Sequence, residues 1–177
     1  MKVDEIKLLY GYNDWADARI LTASPQLNPE QYTAPTSYGH GGLRATMVHI
    51  LDNIRQQRIT LQAFYQEPLE NEAAYDATEL HEDALPTLAM LRERWLIEQQ
   101  EMWSYLDTLT EETLNSTIRY VIPGAIRKRV VWHILLDLTL HATQHRSEAA
   151  ALLTSYGQSP GDFDFTLFQS EYAKGKS

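Results

Sequence analysis

An all-α four-helix bundle is the fold this sequence predicts, and three observations carry it. Apolar residues recur at intervals of three and four in four long stretches, the spacing that lines one face of a helix. Proline or glycine closes three of the four. The one alternating segment is brief and carries Pro123-Gly124, the mark of a short hairpin rather than of a sheet layer. Four helices with one apolar face each bury those faces economically against one another.

The first helix runs from Asp4 to about Ser24 on Ile6, Leu9, Tyr10, Ala16, Ile20 and Leu21, and Pro25 stops it. "APTSYGHGG", residues 34–42, follows as a loop. Leu43, Met47, Ile50, Leu51, Ile54, Leu61 and Tyr65 then trace a second helix that ends before Pro68. The acidic stretch from Glu70 to Asp83 has no periodicity. The third helix lies in "LPTLAMLRERWLIEQQEMWSYLDTL", with Pro86 tolerable in its first turn. "TLNSTIRYVIPGAIRKRVV" alternates and holds the hairpin before the last long helix. That fourth helix spans about Val131 to Tyr156 on Val131, Ile134, Leu135, Leu138, Ala149, Leu152, Leu153 and Tyr156, with Gly157 suited to the residue just past its end. No repeat or linker divides the chain, so residues 1–177 read as a single domain.

Composition narrows the function. A chain without cysteine has no disulfide framework, no thiolate metal ligand and no cysteine nucleophile, which fits a reducing compartment. No apolar run approaches the roughly 20 residues of a membrane span, and the first residues carry acids where a signal peptide needs bases, so a soluble, cytoplasmic protein is expected. A formal charge of −9 argues against a nucleic-acid partner. The short basic run Arg127 to Arg129 reads as the solvated flank of a turn. Trp15, Trp95, Trp103 and Trp132 read as core or dimer-face residues rather than a cofactor box.

The histidines hold the chemistry. In "LTLHATQHRSEAAALL", His141 and His145 stand four residues apart and so share one helical face. At about 100° per residue, His145 falls near the centre of the apolar stripe and His141 about 60° from it, so both point inward. Two readings follow: core imidazoles bonded to a carbonyl or carboxylate, or a pair of metal ligands. An open metal site requires a third protein donor. His133 falls about 140° from the stripe and reads as a surface residue. His40 and His81 lie in loops without a partner at ligand spacing.

Three blocks carry a family likeness. "LLYGYNDWADARIL", "SYGHGGLRATMVHIL" and "HATQHRSEAAALLTSYGQSPGDFDF" resemble, in order and across nearly the whole chain, the first helix, the start of the second, and the fourth helix with its tail in the DinB/YfiT-like superfamily of four-helix bundles. The resemblance implies a divalent metal held by three histidines, one from the second helix and two from the fourth. Matched residue by residue, these are His49, His141 and His145. Periodicity alone sets His49 about 140° from its own helix's apolar stripe, which by itself reads as a surface histidine. The chain also departs from the pattern. Gln144 stands where many relatives have histidine, without touching a matched ligand, and Asp137 stands where several do. Asp137 is either an orienting carboxylate for His141 or an exposed acid. Glu148, three residues past His145, is either an acceptor beside the metal and a candidate proton acceptor in catalysis, or a solvated glutamate.

Three imidazoles suit zinc or nickel first, with iron and copper as further choices. The likeness further implies a homodimer and, among characterised relatives, thiol-dependent transferases acting on small electrophiles with a low-molecular-weight thiol cosubstrate such as bacillithiol or mycothiol. A metal-dependent hydrolase and a non-catalytic, stress-associated metal-binding protein are the competing functions.

Overall fold

The computed structural model describes residues 1–63, 77–122 and 125–174. Tyr65 to Pro68, where the second helix was expected to end, lie outside the described residues, as do residues 70–76 and the Pro123-Gly124 turn.

Helix α1 (Val3–Ala23) opens with Asp4 and Glu5 in its first turn, and the Glu5 carboxylate accepts the Lys2 backbone N–H at 2.8 Å. It ends at Ala23, and Pro25 falls in the 3₁₀ turn Ser24–Gln26 that follows. A five-residue helix, α2 (Pro29–Thr33), is capped by Asn28 and leads into the 34–42 loop. Helix α3 (Leu43–Ala63) follows the loop, and α4 (Leu88–Asp107) starts from the Thr87 side chain, which accepts the Met90 N–H. Pro86 therefore sits ahead of the cap and not, as expected, within the first turn; the Thr87 hydroxyl supplies a better start one residue later.

Short helix α5 (Glu111–Asn115) precedes the hairpin, whose strands β1 (Thr117–Ile122) and β2 (Ala125–Val130) pair antiparallel from Thr117↔Val130 to Ile122↔Ala125. Val130 passes directly into α6 (Val131–Ser155), and the Val131 N–H donates to the Ser116 carbonyl, tying the helix start to the hairpin base. Gly157, at φ 78°, closes α6, with the Gln158 N–H bonded to the Leu153 carbonyl as in a left-handed helix cap. A further helix, α7 (Phe165–Lys174), was not expected from the sequence. It lays Phe165 and Phe168 against Tyr12 and Trp15 of α1, with Tyr172 beside Phe168 on the same helix. With ten residues and two turns of aromatic anchors, it is too short for periodicity to announce.

The four long helices ring the core in the order α1, α6, α3, α4, with α3 against α6 as the most extensive packing. No helix among the described residues is long and apolar enough to cross a membrane. Ile6, Leu43, Met47, Leu51, Leu91, Leu106, Leu135 and Leu153 are fully enclosed. The core is not wholly apolar. Arg146 of α6, 1% exposed, donates from one terminal nitrogen to the Asp17 carboxylate at 2.6 Å and the Asn13 side-chain oxygen at 2.7 Å, and from the other to Thr143 at 3.1 Å. Between α3 and α4, Arg58 meets the buried Glu98 carboxylate through two nitrogens, at 2.5 and 2.9 Å. Asp14 accepts from Trp103 at 2.5 Å and from Gln99 at 3.2 Å, yet burial outweighs both bonds and pushes its carboxyl up to about 7.

Candidate metal centre

Four imidazoles meet where the 34–42 loop, α3 and α6 converge. Each element delivers its histidines for a local reason. On α3, Thr46, Met47, Val48, Ile50 and Leu51 are all buried, so the helix is covered on more than one side around His49, which is half-buried. On α6, Ala142 and Ala149 pack inward and carry His145, 8% exposed, with them; His141, one turn earlier, is half-buried. In the loop, Gly39, Gly41 and Gly42 all take positive φ, which only glycine adopts at no cost. They fold the chain back so that the His40 N–H reaches the Thr46 hydroxyl at 3.2 Å, and that hydroxyl donates in turn to the Gly42 carbonyl at 2.8 Å. A Cβ on Gly39 would stand 2.6 Å from the Thr46 oxygen and 3.5 Å from a Glu148 carboxylate oxygen.

The rings lie close. His49 Nε2 and His141 Nε2 are 3.1 Å apart. The His141 and His145 rings are separated by 4.5 Å, and those of His49 and His145 by 4.7 Å, centre to centre. His40 stacks on His49 at 3.6 Å and 24°, and stands 4.7 Å from His145. Ligand nitrogens of His40, His49 and His145 all fall within 4.8 Å of one another, whereas His141 stands outside that set and touches it through its short contact with His49. Two nitrogens bound tetrahedrally to one ion at about 2.05 Å lie roughly 3.3 Å apart. The 3.1 Å separation is close to that edge.

Electrostatics favour neutral rings. Burial, reinforced by the neighbouring His40, His141 and His145, pushes His49 down to about 3. His40 and His141 are also lowered, again mainly by burial. A neutral imidazole keeps a lone pair for a metal, so burial favours the ligating form of His40, His49 and His141 at neutral pH. The Glu148 carboxylate lies 2.8 Å from His145 Nδ1. A carboxylate can only accept, so the proton sits on Nδ1 and His145 offers Nε2 as the donor atom.

The DinB family profile matches residues 1–175 of this sequence. The chain belongs to the DinB family. No curated protein matches it.

Of the three ligand positions that the family likeness implies in this DinB chain, His49, His141 and His145 are all brought to one place by two helices. Glu148 is bonded to His145, whereas Asp137 is exposed, makes no hydrogen bond to His141 among the described residues, and acts on it only as a nearby negative charge. His133 is exposed beside Trp132, and His81 is a loop residue with a side chain 72% exposed. Of the tryptophans, Trp95 is in the core, and Trp15 and Trp103 bond to Glu171 and Asp14. Sequence reasoning missed His40. Its signal was the glycine density of "SYGHGG" immediately before the helix that holds His49, since a glycine-rich loop can turn a side chain back over the helix it precedes. A groove of about 340 Å³ opens on the outer side of His40, bordered by Tyr32, Pro35, Arg44 and Glu82.

Proposed function

We propose that this DinB chain binds one divalent transition metal, zinc or nickel first, through His49, His141 and His145, and uses it as a metal-dependent enzyme that transfers a small thiol onto an electrophile. The observation that carries the reading is the convergence of three half-buried or buried imidazoles from two helices, beside a carboxylate that fixes the tautomer of one of them. Such a donor set, nitrogen-only and borderline in softness, fits zinc, nickel, iron or copper and not magnesium or calcium.

When bound, a divalent ion lowers the pKa of a coordinated thiol or water. The chain supplies the rest. It contains no cysteine, so a sulfur nucleophile must come from a small cosubstrate. Glu148 holds the His145 proton at Nδ1 through Oε2, and its other carboxylate oxygen makes no hydrogen bond among the described residues. That oxygen is the candidate acceptor for the proton a thiol gives up.

Elemental analysis of tag-free protein tests the metal reading: about one ion per chain in the wild type and none in the His49→Ala/His141→Ala/His145→Ala triple variant. Full retention in the triple variant overturns it. Assays of electrophiles and esters with and without bacillithiol, mycothiol or glutathione test the reaction. Adduct formation that needs both metal and thiol supports transfer, while ester cleavage without thiol, lost in His145→Ala, replaces it with hydrolysis. We further propose a homodimer, supported by the exposed Leu96 and Ile97 on α4 and Leu140 on α6. Sedimentation of a stable monomer at micromolar concentration would refute it.

A further inference from the structure

We propose that His40 is a fourth, exchangeable imidazole donor, which closes the metal centre at rest and is displaced by an incoming ligand. The inference rests on the metal reading above and adds a residue outside the set that the family likeness implies.

Four observations support it. His40 stacks on His49, and its ligand nitrogen lies within 4.8 Å of those of His49 and His145, so that a side-chain shift of about an ångström brings the donors to the roughly 3.3 Å spacing of one tetrahedral ion. Its backbone is held in place, since the His40 N–H is bonded to Thr46 of α3. The missing Cβ at Gly39 lets the loop lie against Thr46 and Glu148, so the approach is built into the chain. His40 also differs from the other three imidazoles in kind. They are fixed on helices, whereas it is exposed and rides on a loop with three positive-φ glycines. A donor on such a segment swings away at lower cost than one on α3 or α6.

The position is the one that decides function. An open catalytic site keeps three protein ligands and one exchangeable place, while a structural site fills all four. Of the four imidazoles His40 is the one that lines the groove bordered by Tyr32, Arg44 and Glu82, so a ligand seated there meets it before His49, on which it stacks. Exchange of one imidazole for one external donor keeps the coordination number unchanged. The ring leaves with its lone pair; an anion such as azide enters with no proton to place, and a thiol entering as thiolate gives its proton to the Glu148 carboxylate.

Cobalt(II)-loaded wild type and His40→Ala test the proposal by X-ray absorption and by titration with azide followed in the visible spectrum. The wild type should show four imidazoles around cobalt and His40→Ala three with one light solvent donor, and azide should bind His40→Ala at least tenfold more tightly. Three imidazoles in the wild type, or equal azide affinity in the two proteins, overturns the proposal. Far-UV circular dichroism checks that the variant is folded, and if it is not, the wild-type imidazole count decides alone. Failure of the wild type to take up cobalt at all would sink the metal reading, an outcome distinct from cobalt bound without His40.

Discussion

His145 and Arg146 are consecutive residues on α6, yet they enter two polar regions of opposite character. Arg146 reaches α1, where Asp17 and Asn13 take up one terminal nitrogen at 2.6 and 2.7 Å while Thr143 of α6 itself takes the other at 3.1 Å, in a site 1% exposed. His145 turns toward α3, where it joins three more imidazoles and finds a single carboxylate. The first region pairs opposite charges, with the Arg146 Nε left without a hydrogen bond among the described residues; the second gathers like groups, in which burial, reinforced by the neighbouring imidazoles, favours the neutral form of His40, His49 and His141. One region locks helices together. The other gathers imidazoles that could hold a metal ion.

The largest expected effect breaks the comparison on the Arg146 side. Arg146→Met strands the Asp17 carboxylate in the core and should cost about 3–5 kcal/mol in urea unfolding, whereas adding Asp17→Asn should recover much of that loss. If Arg146→Met alone were neutral, the pair would not be what joins α1 to α6. On the other side, His145→Ala should lower zinc affinity by more than about 100-fold, beyond what loss of a supporting partner costs. Its metal-free melting temperature should hold near that of wild type, because no buried charge is orphaned. A destabilisation like that of Arg146→Met would make His145 a structural residue. Glu148→Gln lies between them: a competition titration should find zinc affinity down about 10- to 100-fold, with folding intact.

The smallest effects sharpen the contrast through pH. His49 is lowered in the fold to about 3, so between its ordinary value near 6.5 and 3 the unfolded chain binds more protons than the folded one. Metal-free stability should therefore fall as pH drops through that window, and less steeply in His49→Ala. Asp14, raised to about 7, has the opposite sign: the folded chain holds the proton longer, so its contribution is lost as pH rises from about 4 to 7. Asp14→Asn should flatten that decline, and denaturant midpoints across pH 3 to 8 measure both slopes.

The four long helices were legible because burial on one face writes a 3.6-residue period, and because Pro25 and Gly157 mark ends that backbone chemistry enforces. The hairpin was legible from its alternation. Helix α7 was not, since it has fewer than three turns and packs its aromatic residues on the rings of α1. Counting apolar residues also passed over Asn13 and Asp17, which lie on the same buried stripe of α1 as Tyr10 and Ile20. A stripe read for burial alone cannot separate a core side chain from a buried polar one whose partner, Arg146, is on another helix. The site divided the same way. His141 and His145 were visible in their spacing. His49 was not, because α3 is covered on more than one side and so has more than one inward face, which a single-stripe reading treats as surface. His40 reaches the cluster through backbone turns at three glycines, and loop paths leave no periodic trace.

Gly39 takes no part in any reaction, donates nothing to a metal and forms no ion pair, yet the space beside it is the width of a missing methyl group. A mutational scan scored on metal content or turnover would rank position 39 among the intolerant sites, beside the histidines themselves. The ranking would be true and its obvious interpretation false. Sensitivity there would report how near two segments must come, not which atoms do the chemistry. Repacking by Thr46→Ala, which removes the oxygen that a side chain at 39 would strike, should restore tolerance at position 39 only in part, because the φ of 61° still favours glycine, and at no histidine.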